Sequence, residues 1–215
     1  MHWKYLVISS ILNIGISYEN DQIDIDFPKN CFGVFVTIKR SEKLEQWPKD
    51  VHGCIGYWSK NNLDKTRILD KLISVSHKES FKDERSKYFK SLLFDRNAVV
   101  EVNFLLNDLK KVTTFNNNLG VILEKEGDFL ATFLPGVFSK NEGWINVKDS
   151  LIKKSKVKSS DKNNFYSYPT KLVSFKLSDI YEEYDFVNFW IKNLIKNLHI
   201  KKRIPYKLKG DIISY

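Results

Sequence analysis

The chain has 215 residues, of which 42% are hydrophobic and 14% aromatic; this is enough apolar side chain for a folded core, and it excludes disorder of the whole chain. Its formal net charge of +9 is concentrated from Lys148 onward, where 15 lysines and arginines stand against 7 acidic residues. This charge suits binding to nucleic acid, an anionic membrane or an acidic partner, with a lysine-rich solvated surface as the alternative. Only two cysteines are present, which excludes a disulfide framework and a paired-cysteine zinc pattern and favours an intracellular, cytoplasmic or nuclear location.

The N-terminal segment predicts a helix rather than a targeting signal. Its apolar residues Trp3, Val7, Ile11, Ile14 and Tyr18 fall at helical spacing on one face. No small-residue cleavage site follows, and the apolar run is too short to span a membrane. We therefore expect an amphipathic first helix and no transmembrane segment.

Three strands are predicted from alternating apolar side chains. They cover Gly33–Lys39, His52–Tyr57 and Val99–Leu106, and the charged stretch Ser41–Lys49 forms a loop or hairpin tip between the first two. Because their apolar faces need common cover, we expect all three strands to share one sheet.

A helix is predicted between the second and third strands. Asn62 is the candidate N-cap, Asp64 lies in the first turn, and an apolar stripe runs from Ile68 to about Phe81. His77 lies near the end of this helix, where we interpret it as a surface charge rather than a catalytic group.

Beyond these elements, the sequence predicts a hairpin, a helix and a last strand. The hairpin covers Val121–Phe133 and turns at Glu126-Gly127-Asp128, and the helix contains Leu151-Ile152. The polar stretch Ser155–Ser167 predicts a flexible excursion before the last strand, Lys171–Leu177.

The C-terminal segment predicts one more amphipathic helix. Apolar residues of Phe186–Leu198 share one face, and the basic run Lys201-Lys202-Arg203 follows. Packing on the rest of the chain is the default for such a helix, and docking to a partner or a membrane surface are the alternatives.

The sequence Val51-His52-Gly53-Cys54-Ile55-Gly56 carries the chemistry of greatest interest. A reactive thiol needs access and a nearby base, and residues i and i+2 of a strand point to the same face. His52 and Cys54 are therefore predicted as neighbours, with Cys54 accessible and its pKa lowered from about 8.5 mainly by His52. The alternative is that Cys54 is a small buried side chain and the glycines shape a turn.

The chain resembles the AMMECR domain family over about residues 3 to 184, which leaves residues 185 to 215 as a C-terminal amphipathic helix and basic tail. The resemblance implies an α+β fold, with an antiparallel-rich sheet and flanking helices in a larger and a smaller lobe. It also implies that Gly53-Cys54-Ile55-Gly56 lines a surface cleft that serves as an active or binding site. The matching blocks are Gly33–Lys39, Gly53–Gly56, Phe81–Arg85, Val100-Glu101-Val102 before Leu105-Leu106, Gly120-Val121, Leu134–Val137 and Gly143-Trp144.

The chain departs from the family pattern at two of these blocks. The family usually has arginine where His52 stands, so anion binding is weakened while proton transfer stays open. It has phenylalanine where Ser86 follows Arg85. For Asp83 and Arg85 we favour a structural role at a helix end, with bracing of the cleft as the alternative.

The resemblance and the residue chemistry together give the candidate site. Cys54, His52 and Glu101 are the catalytic candidates, a constellation suited to acyl or nucleotidyl-type covalent chemistry, with Arg85 as a possible partner of Glu101. Pro135 and Trp144 are candidates for the lining of the cleft, because proline and tryptophan have structural roles more often than catalytic ones. The substrate-binding candidates are Gly53, Ile55, Gly56, Asp83, Arg85, Pro135 and Trp144.

The sequence leaves three classes of function open. It has no phosphate-binding glycine loop, dinucleotide fingerprint, metalloprotease motif or nucleophile elbow, so neither a nucleotide cofactor nor a metal is indicated. The first class is a cysteine-dependent enzyme or enzyme component in nucleic-acid or nucleotide modification; the resemblance implies a pathway shared with Memo-type and radical-SAM proteins. The second is an RNA-, nucleotide- or peptide-binding module, and the third is an interaction scaffold.

Overall fold

The computed structural model describes residues 3–11, 26–41, 51–82, 97–158, 162–181 and 188. This part of the chain contains two antiparallel four-stranded sheets and four α-helices of five or more residues. The predicted α+β class is therefore correct. The elements are α1 (Trp3–Ile11), β1 (Cys31–Lys39), β2 (Val51–Trp58), α2 (Lys65–Lys82), β3 (Val99–Leu106), β4 (Lys110–Lys111), β5 (Gly120–Lys125), β6 (Asp128–Phe133), α3 (Trp144–Ser155), β7 (Asn164–Tyr168), β8 (Thr170–Lys176) and α4 (Leu177–Tyr181).

The first sheet has the strand order β2-β1-β3-β8. Thr37 of β1 pairs with Cys54 of β2 on one side and with Glu101 of β3 on the other, and Glu101 in turn pairs with Ser174 of β8. The prediction that the first three strands share one sheet is confirmed. Because their apolar residues alternate, one face of this sheet packs against the helices, and the other face carries the site described below.

Helices α1 and α2 cover one face of the first sheet. Val34, Val36 and Ile38 of β1 point into this helix-side core. The helix α1 is confirmed, but its amphipathic character is wrong over the described residues, because eight of its nine residues are buried. A helix enclosed on almost all sides is apolar all round, whereas a surface helix keeps only one apolar stripe.

The N-cap of α2 is Asp64 rather than Asn62. The Oδ1 atom of Asp64 accepts a hydrogen bond from the backbone N–H of Arg67 at 2.8 Å, as an N-cap carboxylate does. Asn62 instead accepts a hydrogen bond from the side-chain amide of Asn107 at 2.8 Å, which ties the start of the helix to the end of β3.

The second sheet has the strand order β4-β7-β5-β6, and α3 packs on it through Val147 and Leu151. The predicted flexible excursion over Ser155–Ser167 is wrong at its end, where β7 lies between β4 and β5. Phe165 and Tyr168 are buried and anchor this strand. The polar residues around them are typical of a loop, so the sequence did not predict the strand.

The chain passes between the two sheets twice, from β3 to β4 and from β7 to β8. The N–H of Leu106 donates to the carbonyl oxygen of Pro169 at 3.0 Å where the two passages run side by side. This arrangement joins the sheets through two adjacent, hydrogen-bonded stretches of backbone.

Within the described part, none of the helices combines the length and the apolar character that crossing a membrane requires. The predicted helix over Phe186–Leu198 and the basic tail after it lie outside the described residues, apart from Asn188.

Candidate functional site

The candidate site lies on the face of the first sheet that points away from α1 and α2, which we call the outer face. Two cross-strand rows define it. One row consists of Cys54, Thr37, Glu101 and Ser174, and the other of Gly56, Phe35, Asn103 and Leu172. Directly opposed residues of paired strands point to the same side, so the members of each row share this face.

Cys54 lies where the outer face meets the second sheet. Its thiol is partly buried and packs against a cluster between the two sheets that contains Phe32, Phe35 and Tyr168. The hydroxyl of Thr37 donates a hydrogen bond to the Cys54 sulfur at 3.1 Å. Thr37 is only 6% exposed, so this donor is held in place by the surrounding sheet.

Tyr168 is the ionisable neighbour of Cys54 in the inter-sheet cluster. Burial raises the pKa of Tyr168 far above its usual range; a hydrogen bond with Thr132 opposes this shift, and negative charge on Cys54 adds to it. The two hydroxyl oxygens of Tyr168 and Thr132 lie 2.6 Å apart. Tyr168 therefore stays protonated and contributes a neutral hydroxyl group to the cluster.

Glu101 forms an ion pair with Lys39 rather than with the thiol. The Lys39 Nζ atom lies 2.6 Å from Glu101 Oε1, and the two side chains are 35% and 20% exposed. Thr37 stands between Glu101 and Cys54 in the sheet, so their backbones are two strand spacings apart, about 10 Å. The structure thus brings Glu101 onto the face of Cys54 without placing the two residues side by side.

The sheet register interrupts the alternation on which the His52–Cys54 prediction depends. Gly53 pairs with Ile38 and Val51 pairs with Lys39, so the register shifts and His52 is the extra residue between them. The His52 side chain, Asp83 and Arg85 lie outside the described residues. Their roles in the site stay predictions.

The other residues of the glycine-cysteine motif have packing roles. A Cβ atom on Gly56 would lie 2.3 Å from the ring of Phe35, so glycine makes room for a ring that stacks on Trp58 with 5.8 Å between centroids. Ile55 packs against the helix-side core, and Gly53 is buried. Among these four residues, Cys54 alone presents a reactive group to the outer face.

Pro135 and Trp144 belong to the lobe built on the second sheet. Trp144 begins α3 and packs edge-on against Phe165, with 5.4 Å between ring centroids. Pro135 precedes Gly136, whose N–H donates to the carbonyl oxygen of Asn117 at 2.8 Å. The contact with Phe165 gives Trp144 a packing role in the lobe, and the predicted roles of both residues in binding stay predictions.

Cys31 provides a contrast with Cys54. It lies fully buried in the helix-side core, and its thiol donates to the carbonyl oxygen of Gly33 at 3.1 Å. Burial raises the pKa of the Cys31 thiol to about 11, against hydrogen bonds with backbone groups that lower it. Cys31 is therefore protonated and inaccessible at neutral pH.

Sequence reasoning missed three residues of the outer face: Thr37, Lys39 and Asn103. A signal was present, because each is a polar residue in a strand whose other face is apolar. The partners of these residues lie on neighbouring strands, so their roles depend on the register. Across the described stretches, no three His, Cys, Asp or Glu side chains come together as a metal site would require.

Comparison with known proteins follows the fold. The sequence profile of the AMMECR1 family matches residues 7–180. The crystal structure of an uncharacterized protein from Pyrococcus horikoshii is similar, with a TM-score of 0.55 and 20% sequence identity over 80% of this chain and 91% of that one. At this identity the likeness shows the fold alone, and no curated protein matches the chain. The extent of the profile match shows that the chain belongs to the AMMECR1 family.

Proposed function

We propose that this protein is a thiol-dependent enzyme or enzyme component in which Cys54 is the nucleophile. The observation that carries the proposal is the hydrogen bond, 3.1 Å long, from the hydroxyl of the buried Thr37 to the sulfur of Cys54, a residue that is only partly buried. A hydroxyl that donates to sulfur stabilises the thiolate, which is the reactive form of cysteine.

The neighbouring residues take different roles in this proposal. His52 is the proposed base that receives the thiol proton. Glu101 is engaged by Lys39 and separated from Cys54 by Thr37, so we assign it to substrate positioning rather than to proton transfer. Tyr168 stays neutral behind the thiol, where burial holds its pKa high.

Nucleic-acid binding is a second candidate function, and the exposed lysines near the end of α3 favour it. Lys153, Lys156 and Lys162 are exposed, and the net charge of the whole chain is +9. Lysine lacks the planar fork with which arginine recognises phosphates and guanine, so this surface suits electrostatic attraction better than sequence readout. Binding to a mixed RNA pool at graded salt tests it. The Memo-type and radical-SAM partners that the family resemblance implies belong to the proposal of a thiol-dependent enzyme.

The thiol proposal predicts pH-dependent alkylation. We expect iodoacetamide to modify the protein at Cys54 at pH 7, and Cys54→Ser to abolish this modification. Thr37→Val, which replaces the hydroxyl with a methyl group of similar size, should slow alkylation about tenfold at pH 7, because a hydrogen bond to a charged acceptor is lost. Rates are followed by mass spectrometry against pH, with Cys31→Ser as the background.

Two controls sharpen the test. Thr37→Ser keeps the hydroxyl and should restore most of the rate, which separates the hydrogen bond from packing. His52→Ala should slow the reaction if His52 is the base. Alkylation that rises only above pH 8 and is unchanged in both Thr37→Val and His52→Ala would show Cys54 to be a packing residue.

A further inference from the structure

Asn103 is a polar side chain in an unusual position on the outer face. It lies in the middle of β3, is only 8% exposed, and its neighbours Val102 and Phe104 point into the helix-side core. No residue in the described ranges hydrogen-bonds its side-chain amide, and the nitrogen and oxygen of this amide are not enclosed, so they reach the surface of the outer face. A nearly buried amide loses free energy unless water or a ligand replaces the hydrogen bonds of bulk solvent.

Asn103 lies between two apolar side chains, of which one is buried and the other is exposed. Phe35 lies directly opposite on β1 and is 8% exposed, with its ring stacked on Trp58. Leu172 lies directly opposite on the edge strand β8 and is 53% exposed, so its side chain is accessible to a ligand on this face. The ion pair of Lys39 with Glu101 lies one step further along the same face.

The groups around Asn103 indicate which kind of ligand this face would bind. An asparagine amide offers donor hydrogens and an acceptor oxygen side by side, and it is complementary to a group that presents the same pair, as a peptide bond does. A nucleobase also presents such a pair, but it is usually bound together with an exposed aromatic ring. Here Phe35 is enclosed and the exposed neighbour is aliphatic, which favours a peptide with an apolar side chain.

We propose that the outer face of the first sheet binds a peptide, with Asn103 hydrogen-bonding a backbone amide of the ligand and Leu172 contacting its apolar side chain. The proposal deepens the proposed function by naming the substrate class of the same site. The sheet register places Asn103 two strands and two residues from Cys54, about 12 Å along the surface, which three to four residues of extended peptide would span.

The test is an NMR titration of the full chain with N-acetyl-leucine-N′-methylamide, the smallest probe that carries peptide amides and an aliphatic side chain. We expect saturable shifts of the Asn103 side-chain amide and of the Leu172 methyl groups. N-acetyl-leucine methyl ester lacks one N–H donor and is the matched control; it should bind about tenfold more weakly if Asn103 accepts from that N–H. Adenosine is the probe for a nucleobase.

Two variants locate the site. Asn103→Asp keeps the side-chain shape but replaces the donor with a charged acceptor, and it should weaken binding by about tenfold or more. Leu172→Ala changes an exposed residue, so it should fold normally, and it should weaken binding severalfold. Failure of the probe to shift either residue up to its solubility limit would overturn the proposal, and so would shifts caused by adenosine alone.

The titration also separates this inference from the thiol proposal. Binding should persist in Cys54→Ser, because the thiol lies outside the contacts of Asn103 and Leu172. If Cys54 is not alkylated but the protein still binds the probe, the protein is a peptide-binding module and the enzyme proposal is wrong. If Cys54 is alkylated as expected but the probe does not bind, the thiol proposal stands and a peptide is not its substrate.

Discussion

Cys31 and Cys54 lie on adjacent strands, and the two faces of the first sheet give their thiols different chemistry. Cys31 points into the core under α1 and α2, where it is fully buried, while Cys54 lies on the outer face beside Thr37. A buried thiol resists ionisation because the charged form loses its hydration, whereas a donor beside a partly exposed thiol favours that form. The position of each cysteine in its strand therefore sets how deeply its thiol is buried and which donor or acceptor it contacts.

The raised pKa of Cys31 predicts a loss of stability in alkaline solution. The folded protein holds this proton up to about pH 11, whereas the ordinary thiol value is 9.0. The contribution to stability is therefore complete below pH 9 and declines as the pH rises towards 11. Between pH 8 and pH 10 we expect the free energy of unfolding of the wild type to fall by roughly 1 kcal/mol more than that of Cys31→Ala.

Urea unfolding of both proteins at the two pH values measures this difference. Lysine and tyrosine residues that titrate in the same range are common to both proteins, so their effects cancel in the comparison. An equal fall in the wild type and the variant would show that Cys31 does not contribute to the alkaline transition.

At the scale of single elements, the hairpin of β5 and β6 shows how a local signal specifies structure. Glu126 and Gly127 form its two-residue turn with φ values of 53° and 89°. Turns with positive φ at both positions match the right-handed twist of the strands, and they favour Asn-Gly over other pairs. Glycine takes this conformation readily, while glutamate adopts it at a cost.

The turn predicts a stabilising substitution. Glu126→Asn should raise the free energy of unfolding by about 0.5–1 kcal/mol, because asparagine adopts the left-handed conformation more easily. Gly127→Ala is the matched control and should lower it by about 1 kcal/mol, because φ at this position is strongly positive. Chemical unfolding curves measure both changes. A lower stability for Glu126→Asn would show that the glutamate has a compensating interaction.

At the scale of the whole molecule, the two sheets are connected by side chains as well as by the chain. The indole N–H of Trp58 in β2 donates to the carbonyl oxygen of Phe129 in β6 at 2.9 Å. Phe32 packs against both Phe129 and Tyr168, with 5.7 and 5.4 Å between ring centroids. Since these contacts bury apolar surface of both lobes, we expect the sheets to unfold together.

Removal of the residues after Tyr184 tests the extent of this unit. The described chain reaches α4 at Leu177–Tyr181 and the family match ends at residue 180, so the truncated chain should still unfold in one cooperative thermal transition. Loss of cooperativity would place the Phe186–Leu198 segment in the core. Binding of RNA or anionic vesicles to both proteins shows whether the basic tail contributes, and unchanged binding would exclude it.

Elements with local signals could be predicted from the amino-acid sequence alone. The strands that became β1, β2 and β3, the turn at Glu126-Gly127 and the helix after Asp64 follow from alternation, turn chemistry and helical spacing, which involve residues close together in the chain. The residue pattern placed Cys54 in a strand between two glycines, and the family resemblance implied that this segment lines a cleft. The structure adds that Gly56 makes room for the Phe35 ring, while its role in binding stays a prediction.

Contacts between residues that are far apart in sequence became known from the folded structure. The burial of α1 on almost all sides, the strand β7 inside a polar stretch, and the contacts of Thr37 with Cys54 and of Lys39 with Glu101 join residues far apart in sequence. Asn103 is one more polar residue in the sequence, and the register places Phe35 and Leu172 on either side of it. Strand order and register set these contacts, and both depend on the packing of the whole chain.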